Sequence, residues 1–207
     1  MSKTSTPDMK KAILDLLDKL NGIEYISPES IPNIDLYMDQ ITSFMDGQLE
    51  MSKRREDDKL LTKTMINNYT KNDLLPPPVK KKYSKEHLLS LIFIYYLKNI
   101  LSINDIHSIL NPVTDKYFGN KDGFNMEDIY EEIFNMEKEE STKVLKEFTK
   151  KYQIARNTFN DFPDEDQEML QTFSFICLLS FDIYMKKQMI EKIVDDIFST
   201  EDTQKKS

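Results

Sequence analysis

Eight residues in the first half of the chain have the types and spacing to touch nucleic acid. Lys63, Thr64, Asn67, Asn68 and Lys71 recur at intervals of three and four, so a helix would carry them on one face. Lys80, Lys81 and Lys82 follow closely after three consecutive prolines, Pro76 to Pro78. Lysines neutralise phosphates, and an asparagine carboxamide can read adenine through a pair of hydrogen bonds. Lysines projecting from a proline-stiffened corner lose less chain entropy on contact. The ordinary alternative for a lysine run is a solvated surface.

Catalytic patterns are missing. There is no phosphate-binding glycine loop, no His-Glu-x-x-His helix, no Cys-x-x-Cys pair and no glycine-flanked serine. Carboxylate pairs such as Glu131-Glu132 and Asp195-Asp196 fall in amphipathic stretches and read as solvated faces. The one cysteine, Cys177, sits in the apolar run Phe173–Met185 and reads as a small buried hydrophobe. His87 and His107 read as surface or half-buried helix residues, not at metal-ligand spacing with Cys177. Asn120 to Gly123 is no calcium loop. With Gly123 at the sixth position, Phe118 and Ile129 would fall where ligands are needed. The expectation is a chain with no enzymatic activity, no metal and no cofactor.

The elements that must position the eight residues are helices. Glycine is scarce, at 4 residues, which disfavours tight-turned sandwiches and barrels. A first helix is predicted over Pro7–Leu20, with Met9, Ile13, Leu16, Leu17 and Leu20 as its apolar stripe. A second runs over Ile34–Asp46, capped by Asn33, burying Tyr37, Met38, Ile41 and Met45 and stopping at Gly47. The charged stretch Ser52–Asp58 is predicted to be an exposed, mobile loop. Thr62 caps a short helix, Lys63–Asn72, with Met65, Ile66 and Tyr69 turned inward. Tyr83 closes the core, and Ser84 caps Lys85–Ile100. That segment is apolar nearly all round and therefore central. Ser102 and Asp105 form a capping box for Ile103–Leu110, which Asn111-Pro112 ends. Helix is predicted again over Met126–Asn157, with a break near Glu139–Thr142. A final long helix runs from Asp164 to about Phe198, and its Phe173–Met185 stripe is mostly core. The tail from Ser199 is polar and frayed.

Hydrophobic residues are 39% of the 207, enough for a core, and charged residues are 31%. The net charge is −8, which disfavours wholesale nucleic-acid binding. Charge is uneven, however. Lys59–Lys98 holds eight lysines against Asp73 and Glu86, a net of +6, so the remainder carries −14. The local field, not the total, governs contact with phosphates. No signal peptide or membrane-length apolar stretch is present, and one cysteine suits no disulfide framework. A cytoplasmic location with no membrane contact is expected.

The run from Leu61 through Asn67-Asn-Tyr69 to Leu74-Leu-Pro-Pro-Pro78, then Lys80-Lys-Lys-Tyr-Ser84 and Leu101-Ser-Ile-Asn-Asp-Ile106, resembles the winged helix-turn-helix of MerR-type regulators. That pattern has a recognition helix with an aromatic residue, a Leu-Leu-Pro exit, a basic wing, and a Tyr-Ser that caps the next helix. Residues 31–112 also resemble the bacterial family called domain of unknown function 1836, through Ile31-Pro-Asn-Ile-Asp-Leu-Tyr-Met-Asp-Gln40 and Pro76-Pro-Pro-Val-Lys-Lys-Lys-Tyr83. The chain departs from the MerR pattern in having Asn68, not arginine, before Tyr69. It also has only Val79–Lys82 between Pro78 and Tyr83, room for a compact basic turn but hardly for an ordinary two-stranded hairpin.

The expectation is thus an all-α protein in three parts: residues 1–30, an amphipathic helix and connector; 31–112, a MerR-like helix-turn-helix domain with a short wing; and 113–207, a helical domain for dimerisation or sensing. The resemblance implies a MerR-like fold, and a DNA-binding regulator with DNA as partner is expected on that frame. The length and richness of the Phe173–Met185 stripe would instead let the C-terminal helices bury a second copy in a homodimer. The competing expectation is a helical protein-interaction module without DNA binding.

Overall fold

Apolar residues at helical spacing become helices in a computed structural model of the chain, which describes Asp15 and residues 25–198. The described residues form six α-helices: α1 (Met38–Gln48), α2 (Lys63–Lys71), α3 (Lys85–Leu97), α4 (Ile103–Tyr117), α5 (Met126–Arg156) and α6 (Asp164–Ile193). A π-helical turn, Val194–Phe198, continues α6. Two short strands, β1 (Leu36–Tyr37) and β2 (Lys82–Tyr83), pair antiparallel, Leu36 opposite Tyr83 and Tyr37 opposite Lys82. The architecture is mostly α. The predicted helix over Pro7–Leu20 and the predicted frayed tail lie outside the described residues.

The chain divides into two units. The described part of the first is residues 25–136 with 187–198, and that of the second is Asp15 with residues 137–186. The first unit is built round α3, whose residues are buried without interruption from His87 to Tyr95. A helix apolar on every side has to be wrapped by others. Ile41 and Met45 of α1, Ile66 and Tyr69 of α2, Ile106 and Leu110 of α4, and Met126 and Tyr130 of α5 share its core. Tyr130 donates its buried hydroxyl to the Ile26 carbonyl at 2.6 Å. Tyr25 stacks on Tyr96 with ring centroids 4.0 Å apart. These contacts pin the segment that leads into β1. The Val194–Phe198 turn packs on α4, with Val194 buried.

Several boundaries differ from expectation. The second predicted helix starts at Met38, not Ile34, because residues 36 and 37 pair with β2. Strand alternation buries Leu36 and turns Tyr37 outward, 53% exposed, so Tyr37 is not the core residue predicted. Pro112 does not end its helix; α4 continues through it to Tyr117. Thr114 and Leu110 are buried along that helix, and the packing outweighs the hydrogen bond that proline cannot donate. No break occurs at 139–142 either, since α5 is continuous from Met126 to Arg156.

In the second unit, the α5 segment 137–156 and the α6 segment 164–186 meet in a small core. Ala155 and Phe175 are buried there, with Phe148, Tyr152 and Leu179 half-buried around them. Lys151 bridges Glu147 at 2.6 Å and Asp182 at 2.8 Å. Gln171 closes the turn between the helices by donating to the carbonyls of Arg156 and Thr158. The Phe173–Met185 run is not mostly core. Phe173, Ile176, Phe181, Ile183 and Tyr184 are each more than half exposed, and Cys177 is exposed. Among the described residues, only the edge around Phe175 and Leu179 packs against α5.

Candidate nucleic-acid interface

Helix α2 is defined at both ends by local chemistry. The Thr62 hydroxyl accepts from the Met65 amide at 3.2 Å, which is the expected cap. At the other end Asp73 takes a left-handed conformation (φ 54°). The amides of Leu74 and Leu75 then both donate to the Tyr69 carbonyl, and the chain turns sharply into the prolines. Leu74 and Leu75 are buried and anchor that exit. Inward, Ile66 is fully buried and Tyr69 nearly so, as predicted, with Met65 half-buried. Lys63, Thr64, Asn67, Asn68 and Lys71 are all exposed. The structure therefore brings these five together on one helix face.

The Val79–Lys82 segment is a minimal hairpin. Val79 and Lys82 exchange both backbone hydrogen bonds, at 3.0 and 2.9 Å. Lys80 and Lys81 occupy the two turn positions with φ of 52° and 66°. Two successive left-handed residues make the turn type that matches strand twist, usually taken by Asn-Gly. The expected compact basic turn is what forms: two residues suffice, and the strand that follows them pairs with β1. Lys80 and Lys81 are exposed, whereas Lys82 is half-buried in β2, with its ammonium 5.4 Å from the centre of the Tyr37 ring.

One junction links the two cationic elements. Tyr37 sits against Lys82 of the hairpin, and Asp39, two residues later, forms an ion pair with Lys63 of α2. Sequence reasoning missed both residues, having placed Tyr37 in a helix core. The signal was Gln40 three residues after Tyr37, the spacing of a capping box that makes Tyr37 the N-cap. Gln40 accepts from the Tyr37 amide at 2.8 Å and starts α1 there.

Behind the hairpin lies His87, which is 3% exposed and not the surface or half-buried residue expected. Its Nδ1 accepts from the Ser84 amide at 2.9 Å and from the Ser84 hydroxyl at 2.8 Å. The neutral ring accordingly carries its proton on Nε2. Its ring packs nearly perpendicular to those of Tyr83 and Phe118. Burial lowers its pKa from the ordinary 6.5, opposed in part by the carbonyls of Pro77 and Pro76 and by Asp35. Tyr83 is buried and closes the core as predicted.

Among the described residues no cluster of His, Cys, Asp or Glu is arranged to hold a metal ion, and no helix is long and apolar enough to cross a membrane. A family model described as a domain of unknown function (DUF1836) matches residues 26–133, just over half of the chain. No curated protein and no solved structure matches it.

Proposed function

We propose that this chain, which belongs to the DUF1836 family, is a DNA-binding transcriptional regulator with a MerR-like helix-turn-helix. The observation that carries this reading is the joint exposure of α2's lysine and amide face and the Lys80–Lys81 turn, linked through Tyr37 and Asp39. In it α2 enters the major groove, Asn67 and Asn68 reach base edges, and Lys63, Lys71 and the hairpin lysines take phosphates. Lys63 then exchanges Asp39 for a phosphate, so the ion pair holds its side chain ready without burying it. The work is binding, with no catalytic step and no cofactor, and it takes place in the cytoplasm.

The exposed apolar side of α6 supports a homodimer through the C-terminal helices. Met169, Phe173, Ile176, Ile183 and Tyr184 follow helical spacing and are each more than half exposed. A second copy presents the same surface, and a two-fold dimer is what paired half-sites require. The same side would also suit the alternative reading, an interaction module that binds another protein and no DNA.

Anisotropy titrations of genomic DNA fragments across a salt series decide between them. With Lys80, Lys81 and Lys82 changed to Ala, up to three phosphate contacts are lost. The salt slope should fall by as much as about 2.7, at ~0.9 per contact. Co-purification with a protein partner, together with no salt-dependent DNA affinity, would replace the regulator with the module.

A further inference from the structure

Helices α1 and α2 are joined by residues 49–62, whereas the turn between the helices of an ordinary helix-turn-helix has about three or four residues. This longer connector is built, not slack. Leu49 and Leu61 are buried at its two ends. Lys53 is tied to Asp46 at 2.7 Å, and the Leu60 carbonyl accepts from the Lys98 ammonium at 2.7 Å. At its tip the Asp58 carboxylate accepts from the amides of Arg54 and Arg55, at 3.1 and 2.9 Å. The Asp58 amide returns a bond to the Arg55 carbonyl. The loop is exposed, as predicted, and closes into a turn that presents Arg54 and Arg55 to solvent.

Between the connector and the helices lies an open cleft of about 580 Å³. Lys59 and Thr62 line it from the connector, Lys63 and Thr64 from α2, and Ser43 and Asp46 from α1. Lys63 and Thr64 belong equally to the exposed face of α2, so the cleft continues that face toward the connector. Lys53 and Lys63 are matched by Asp46 and Asp39. Arg54, Arg55 and Lys59 make no ion pair with other described residues, and they are exposed. Glu56 and Asp57 stand on the same turn.

We propose that the connector is a further DNA-contacting element: Arg54, Arg55 and Lys59 take backbone phosphates flanking the site that α2 occupies. This rests on the regulator reading above. A turn held by its own Asp58 loses little entropy on contact, and arginine's planar fork matches two phosphate oxygens. The contacts would add affinity and orientation without reading sequence.

The test uses the full chain and a fluorescent DNA duplex of mixed sequence, with anisotropy recorded from low to high salt. Changing Arg54, Arg55 and Lys59 to Ala should lower the salt slope by up to about 2.7, at ~0.9 per phosphate. The pair Glu56→Lys and Asp57→Lys, equally exposed, should steepen the slope and tighten binding. Unchanged slopes in both variants, beside a Lys80→Ala/Lys81→Ala chain that does lose slope, would overturn the connector's role and leave the regulator reading standing. A wild-type chain with no salt-dependent affinity would overturn both.

Discussion

His87 illustrates how much a single side chain can be asked to do. It is buried under the hairpin, and its Nδ1 serves as acceptor for the residue that starts α3. A second proton must enter at Nδ1, and it would displace both Ser84 donors. Burial depresses the folded pKa below the ordinary 6.5. The sign follows by linkage. Above 6.5 folded and unfolded chains are both neutral at this site, and the full stability is present. As pH falls below 6.5 the unfolded chain binds the proton first, and stability declines until the lower folded pKa is passed. Thermal melting between pH 7.5 and about 5 should show a falling midpoint. His87→Gln keeps an acceptor at the same helical position and should flatten that fall, because glutamine does not titrate. A wild-type and variant with parallel profiles would mean that other groups set the acid sensitivity.

At the scale of elements, the hairpin sets local strain against placement of charge. Lys80 and Lys81 both sit in the left-handed region, which costs an ordinary residue roughly 1–2 kcal/mol. The double change Lys80→Asn/Lys81→Gly supplies the residues that this turn type prefers. We expect it to raise stability by about 1 kcal/mol, seen as a higher urea midpoint. On the regulator proposal the same variant should bind DNA more weakly, because it removes the two phosphate contacts assigned to these lysines. Stability and affinity would then move in opposite directions, as strain retained for function requires. If affinity holds while stability rises, the lysines are only a solvated turn. The connector follows a similar logic without strain: buried leucines at each end and one aspartate cap convert a charged stretch into a fixed turn.

At the scale of the molecule, the second unit is the informative part. Among the described residues its core holds two buried apolar side chains, Ala155 and Phe175, whereas Met169, Phe173, Ile176, Ile183 and Tyr184 on one side of α6 face solvent. Hydrophobic patches of that extent mark interaction surfaces more often than free surface. Phe173→Asp with Ile176→Asp should bring the solution mass from twice the 24.5 kDa chain to a single copy, measured by light scattering after size exclusion. DNA with paired half-sites should then be bound only weakly. Wild-type protein that already elutes at the single-chain mass would remove the dimer from the proposal.

Some of this was decided by residue order alone. The caps at Thr62, Ser84 and Ser102, the inward set Ile66 and Tyr69, the outward lysines and amides of α2, and the central place of α3 are all local or periodic features. Short-range sterics and a 3.6-residue repeat settle them wherever the chain goes next. Other features depend on residues far apart in sequence. Tyr37 turns outward because Leu36 pairs with Tyr83. α4 passes through Pro112 because packing on α3 outweighs a lost hydrogen bond. His87 is buried because Phe118 returns to cover it, and the stripe of α6 lies open because, among the described residues, only its Phe175–Leu179 edge meets α5. Periodicity indicates which side chains need burial, but only the assembled fold determines whether anything is there to bury them.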